Sequence, residues 1–171
     1  MPLLRIEVYN FNPGAIASMQ KPDPGEILRR DGGNAASVLQ RFSPDMRQAV
    51  LTDLARIVPG ISDIDYRTLG SQETIEFRQI VQGQGHPWRF LADSMSDGTL
   101  RALGVLLAVY QGSMVSTDQP RPLTVGLEEP EIALHPAAAR VLLGALREGS
   151  RHCQVLVTSP SYSSCLGAAN T

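Results

Sequence analysis

Apolar and polar positions along this chain switch between a helical and an alternating period, and the switches divide it into elements. Residues 3–9 alternate weakly and predict a strand. Residues 12–26 are rich in Pro and Gly and read as loop. Residues 35–42 put Val38, Leu39 and Phe42 on one helical face, with Asn34 placed before them as a cap. Ser43, Pro44 and Asp45 form a strong helix start, combining a capping hydroxyl, a first-turn proline and an acid against the dipole. Val50, Leu51, Leu54, Ile57 and Val58 continue that helix at the right spacing until Pro59-Gly60 stops it.

Alternation then takes over. Residues 64–68, 74–81 and 88–92 read as three strands, the last after a turn running from Gly83 to Pro87. In the first, Ile64 and Tyr66 share a face. In the second, Ile75, Phe77, Gln79 and Val81 lie opposite Glu76, Arg78 and Ile80. An antiparallel meander is the natural arrangement. Residues 100–111 are apolar nearly all round, as in a buried helix, with Ser96 or Asp97 as its cap. Residues 112–122 read as a mobile linker. Two short apolar runs follow, 123–127 and 154–158, on either side of a helix over residues 137–148. Pro136 sits at the first position of that helix and Gly149 at its end. Strand, crossover helix and strand make a parallel βαβ unit, so the fold class is α/β with an added helical and meander portion.

Composition bounds the remainder. A chain of 171 residues has room for one domain with a sizeable core. A net charge of −2 gives no global attraction to nucleic acid or to an anionic membrane, which leaves only local patches for such contacts. Cys153 and Cys165 are too few for a disulfide framework, which predicts a reducing, cytoplasmic setting. No run is long enough to span a bilayer, and no signal core opens the chain. Residues 162–171 are small and polar without periodicity and are expected to pack on nothing.

The candidate chemistry lies in two stretches. In the first, Leu123-Thr-Val-Gly-Leu-Glu-Glu-Pro-Glu-Ile-Ala-Leu-His-Pro136, a buried strand ends on Glu128 and Glu129, and Pro130 terminates it. Carboxylates at the carboxyl end of a strand sit where open α/β sheets take ligands. The second stretch is Leu91-Ala-Asp-Ser-Met-Ser-Asp-Gly-Thr-Leu-Arg101. There a Ser-Asp-Gly turn opens a helix, whose free N–H groups suit phosphate. Glu131 and His135 are four residues apart, but no third ligand accompanies them as a metal site requires. His86 and Trp88, beside a turn, read as packing residues, and the scattered arginines as a solvated face.

Both stretches resemble an AAA family ATPase of the ABC-like branch, with RecF-like and structural-maintenance-of-chromosomes ATP-binding heads as the pattern. The first resembles a Walker B segment over residues 123–136, and the second the signature motif over residues 94–101. The resemblance implies ATP and Mg²⁺ as cofactors, with Glu128 holding the metal and Glu129 polarising the attacking water. It places Ser96, Asp97 and Gly98 against nucleotide held by a second ATPase subunit in a sandwich dimer, and His135 near that interface. Many relatives act in DNA repair, recombination or phage defence, so nucleic acid enters as a candidate partner.

The chain departs from the pattern twice. A phosphate-binding loop needs Gly-x-x-x-x-Gly-Lys-Ser/Thr, yet the one lysine, Lys21, sits in Gln-Lys-Pro-Asp-Pro. After the last strand the family carries a His, where this chain has Thr158-Ser159-Pro160-Ser161. The expectation is therefore a single partial P-loop ATPase domain over residues 1–171, corresponding to the later part of a longer ATPase and inactive alone. The alternative is a non-catalytic partner or decoy subunit that pairs with a complete ATPase.

Overall fold

The computed structural model describes residues 5–83, 85–112, 123–151 and 153–159. The expected tail, residues 162–171, and the expected linker, residues 112–122 apart from Gly112, lie outside the described residues. The element order is β1 (Arg5–Tyr9), α1 (Pro13–Ala17), α2 (Ala35–Arg41), α3 (Pro44–Ile57), β2 (Ile61–Leu69), β3 (Gln72–Gln79), β4 (Trp88–Leu91), α4 (Asp97–Gln111), β5 (Leu123–Glu128), α5 (Pro136–Gly149) and β6 (Gln154–Thr158).

Two separate sheets organise these elements. Strands β1, β5 and β6 form a parallel sheet in that order. Tyr9 lies opposite Leu127, and Glu128 opposite Thr158. Strands β2, β3 and β4 form the antiparallel meander. The βαβ unit over β5, α5 and β6 is thus present, and β1 joins it as a third parallel strand. Tyr9, Val125 and Leu127 turn one face of the parallel sheet into the core, where α4 and α5 bring Leu103, Leu106, Leu107, Leu142 and Leu146. The opposite face is open: Ile6 is 54% exposed, Val8 41% and Leu156 54%. Parallel sheets are ordinarily covered on both faces, and among the described residues no second layer covers this one.

Several local expectations change in three dimensions. Residues 12–26 are not all loop, because Asn12 accepts a hydrogen bond from the Gly14 N–H at 2.9 Å and caps α1. Burial of Ile16 then holds that short helix. Asn34 precedes α2 without capping it. Its side chain instead accepts from the Arg29 N–H at 2.8 Å and donates to the Ile27 carbonyl at 2.9 Å, tying down the preceding loop. Ser43 does cap α3, through Met46. Gly149 is the last residue of α5, and Ser150 rather than Gly149 is its cap. A Cβ on Gly149 would stand 2.1 Å from Val109 Cγ1, so the missing side chain is what lets α5 approach α4. Trp88 is half exposed and stacks on Phe90, rather than being packed inside.

The meander's outer face carries the strongest charge pairing. Arg67 donates twice to Glu76, at 3.0 and 3.1 Å, and Glu76 is nearly buried. The hydrogen bond from Arg67 holds the Glu76 carboxyl below the usual carboxylate range, against the opposing pull of desolvation. On the other side, Tyr110 donates to the buried Asp53 at 2.7 Å. Desolvation first, and that carboxylate second, push the Tyr110 phenol well above its usual range. No helix among the described residues is long and apolar enough to cross a membrane.

Candidate functional site

Strand β5 is the central strand of the parallel sheet, so its carboxyl end is flanked on both sides. Glu128 is its last residue and is exposed, and Glu129 follows half-buried. Pro130 is buried directly behind them and ends the ladder, since it has no N–H to donate. An open cleft of ≈ 400 Å³ lies over this end, lined by Asn10, Arg101, Glu128, Glu129, Ile132 and Thr158. The two carboxylates predicted from the sequence therefore do share a cleft at a strand end.

The surroundings fix each carboxylate differently. Asn10, just past β1, donates its side-chain amide to Glu128 Oε2 at 2.9 Å. That bond orients the carboxylate and engages one of its two oxygens. Glu129 has a positive φ of 45°, an unusual conformation for a residue with a side chain. Backbone bonds secure it: its N–H donates to the Thr158 carbonyl at 2.9 Å, and its carbonyl accepts from the Ile132 N–H at 3.1 Å. Strain held in this way at a candidate chemical group is a pattern found at functional sites. Ala133, at φ 65°, is the second such residue in the same turn. Ser159 donates to Glu131, which ties the end of β6 to the turn and occupies that carboxylate.

The Ser96 to Gly98 stretch begins α4, as its sequence implies. The Ser96 hydroxyl accepts from the Thr99 N–H at 3.2 Å and caps the helix. Ser96 and Asp97 are exposed, but Gly98 is buried. A Cβ on Gly98 would lie 2.5 Å from the Ala133 carbonyl oxygen. The glycine thus serves close packing of α4 on the turn after β5, and only Ser96 and Asp97 of the trio face outward. His135 caps α5, its Nδ1 accepting from the Ala137 N–H at 3.3 Å. The imidazole is exposed and stands on the cap, not among the residues that line the cleft.

Sequence reasoning missed Asn10, Thr158 and Arg101 as neighbours of the acidic pair. Asn10 is 118 residues from Glu128, and no spacing rule connects positions so far apart. No group of His, Cys, Asp and Glu able to hold a metal by itself occurs among the described residues. The donors that do meet here are carboxylate, amide and hydroxyl oxygens. Hard oxygens of this kind suit Mg²⁺, which keeps several waters and takes few protein ligands.

Comparison with known proteins gives a family and a fold. A family model described as "AAA domain, putative AbiEii toxin, Type IV TA system" matches residues 10–165. No curated protein matches the chain. Among solved structures, the SMC head bound to the C-terminal winged-helix domain of ScpA is similar at TM-score 0.50 and 15% identity, covering 68% of this chain and 35% of that one. A structure from work on ATP-driven dimerisation and DNA-stimulated activation of SMC ATPases is similar at TM-score 0.50 and 15% identity, covering 68% of each chain. The SMC head domain of Pyrococcus furiosus, with an extended coiled coil and bound to the C-terminal domain of ScpA, gives TM-score 0.48 and 15% identity over 67% of this chain and 28% of its own. The chain thus spans about a third or less of the two ScpA-bound SMC heads, and likeness at this identity speaks for the fold alone.

Proposed function

This chain belongs to the AAA domain family whose model covers residues 10–165, and on that premise we propose that it is the later part of an ATP-hydrolysing head, carrying the metal- and water-handling half of the site. The observation that carries the reading is the acidic pair at the carboxyl end of the central parallel strand, opening into a cleft shared with Asn10 and Thr158. That is where a sheet of this kind takes its ligand.

The roles follow from the two environments. Glu128, oriented by Asn10, offers its free oxygen to Mg²⁺. The metal, when bound with ATP, neutralises phosphate charge. Glu129 is held in its strained backbone by Thr158 and Ile132, so its carboxylate is positioned from both sides to orient a water. Ser96 and Asp97 lie exposed on the first turn of α4, which leaves them open to nucleotide on a second head in this reading. The ATP-driven dimerisation named for one structural neighbour supports that arrangement. DNA-stimulated activation, named for the same neighbour, makes DNA the effector to try first.

The grip on the β- and γ-phosphates comes, in this reading, from polypeptide beyond these 171 residues. The uncovered sheet face at Ile6, Val8 and Leu156 supports this, because a further strand and helix would complete the layer. Positioning supplies most of the rate in phosphoryl transfer, so the chain alone turns over ATP slowly or not at all. The test is phosphate release from Mg-ATP, with and without a polypeptide supplying a Gly-rich Lys-Ser/Thr loop. Turnover only in the mixture, abolished by Glu129→Gln with ATP binding retained, is the expected result. Robust turnover by the lone chain would overturn the division of labour proposed here.

A further inference from the structure

Arg101 lines the cleft together with Glu128 and Glu129. Its guanidinium forms no ion pair or hydrogen bond with any described residue, although two carboxylates open into the same space. Three arginines of the meander and α3, by contrast, reach acids: Arg47 pairs with Asp65, Arg67 with Glu76 and Arg78 with Asp63. An arginine that is half-buried, next to acids and still uncommitted has its donors free for something that enters the cleft.

The backbone explains why Arg101 is there. Gly98 and Arg101 are three residues apart on α4 and so lie on one helical side. Gly98 brings that side hard against the Ala133 carbonyl, with Leu134 Cδ2 at 3.2 Å from where a Cβ would be. One turn further on, the same side meets the cleft and Arg101 is delivered to it. Any side chain at 98 would hold the helix off the turn and draw Arg101 back.

We infer that Arg101 is the cleft's own anion-contacting residue, binding a phosphate group of a Mg²⁺-polyphosphate from within the same chain. This rests on the reading of Glu128 as the metal contact. The chemistry is complementary: the carboxylates take the cation, and the planar fork of Arg101 takes phosphate oxygens, to which guanidinium is matched. It is also the only cation among the residues that line the cleft. A chain without a lysine-bearing loop thereby still holds one phosphate contact.

The test separates this role from a structural one by sign. NMR titrations of the labelled wild-type chain, Arg101→Gln and Arg101→Lys are run with Mg²⁺ alone and with Mg²⁺-pyrophosphate. Loss of a positive charge beside two carboxylates leaves Mg²⁺ binding unchanged or tighter. Loss of a charge-assisted bond weakens pyrophosphate by about tenfold or more. Arg101→Lys falls between, since it keeps the charge and loses the fork. Equal pyrophosphate affinity in wild type and Arg101→Gln would overturn the inference, as would a parallel weakening of both ligands. A wild-type chain that binds Mg²⁺ at Glu128 but no pyrophosphate would also overturn it, with the metal site intact. Absence of any Mg²⁺ binding would bring down the metal-site reading and this inference together.

Discussion

Replacing Gly98 with Ala tests the packing that joins the two motifs. The new Cβ would sit 2.5 Å from the Ala133 carbonyl oxygen, against an ordinary contact of at least 3.4 Å, so about 0.9 Å of movement is required (3.4 − 2.5). The obstructing atom is backbone, so it has no rotamer to change. Ala133 already holds a positive φ of 65°, which limits how its peptide can turn. Overpacking of this kind costs about 1–3 kcal/mol. The intrinsic gain of Ala over Gly in a helix offsets at most about 1 kcal/mol. A net loss of about 1–2 kcal/mol lowers the melting temperature of a domain this size by roughly 2–8 °C. Thermal unfolding followed by circular dichroism reads this directly. The displacement should also shift the amide resonances of Glu129 and Ala133. Adding Ala133→Gly should recover part of the loss, because glycine accepts the positive φ and frees the peptide to move. An unchanged or raised melting temperature with Glu129 unmoved would refute the claim that Gly98 sets the turn.

Two further outcomes follow from polar contacts away from the cleft. Tyr110→Phe removes the 2.7 Å bond to Asp53, which is buried and keeps only Arg56 at 3.4 Å; the expected loss is about 1–2 kcal/mol in denaturant unfolding. Glu76 has its pKa lowered on folding, first by the Arg67 hydrogen bond, so its contribution is present above its ordinary value of 4.5 and is lost as pH falls through the lower folded value. The stability gap between wild type and Glu76→Gln should therefore be full at neutral pH and close in acid. A gap that stays constant down to acid pH would show that packing, not the ion pair, sets it.

Sequence patterning located the parts of this molecule that depend on neighbours close in the chain. The acidic pair could be placed at a strand end because an apolar run stops at Pro130, and the βαβ unit because Pro136 opens a helix of regular spacing. The start of α3 was equally plain from Ser43-Pro44-Asp45. What escaped depends on distance. That β1 pairs with β5 rather than with the meander is a contact across more than a hundred residues, and a weak alternation carries no partner information. Asn10 comes beside Glu128 through that same topology, and Arg101 joins the cleft through the packing of α4 on the turn after β5. Helix α1 did leave a signal, Asn12 followed by Pro13 as cap and first position, which the density of Pro and Gly around it obscured. The sequence points to Gly98 as part of a phosphate-binding helix start and to Gly149 as a cap, whereas both serve the close approach of a helix to another segment of the chain.

In the function proposed above, the acidic pair at the end of β5 holds the metal of this domain. Mn²⁺, standing in for Mg²⁺, broadens amide resonances according to distance from where it binds. Titrated into the labelled chain, it should bleach Glu128, Glu129, Asn10 and Thr158 first, and Glu128→Gln should abolish that pattern while leaving the fold intact. Early bleaching at the acids of the meander instead, around Asp63 and Asp65, with Glu128 unaffected, would contradict the account.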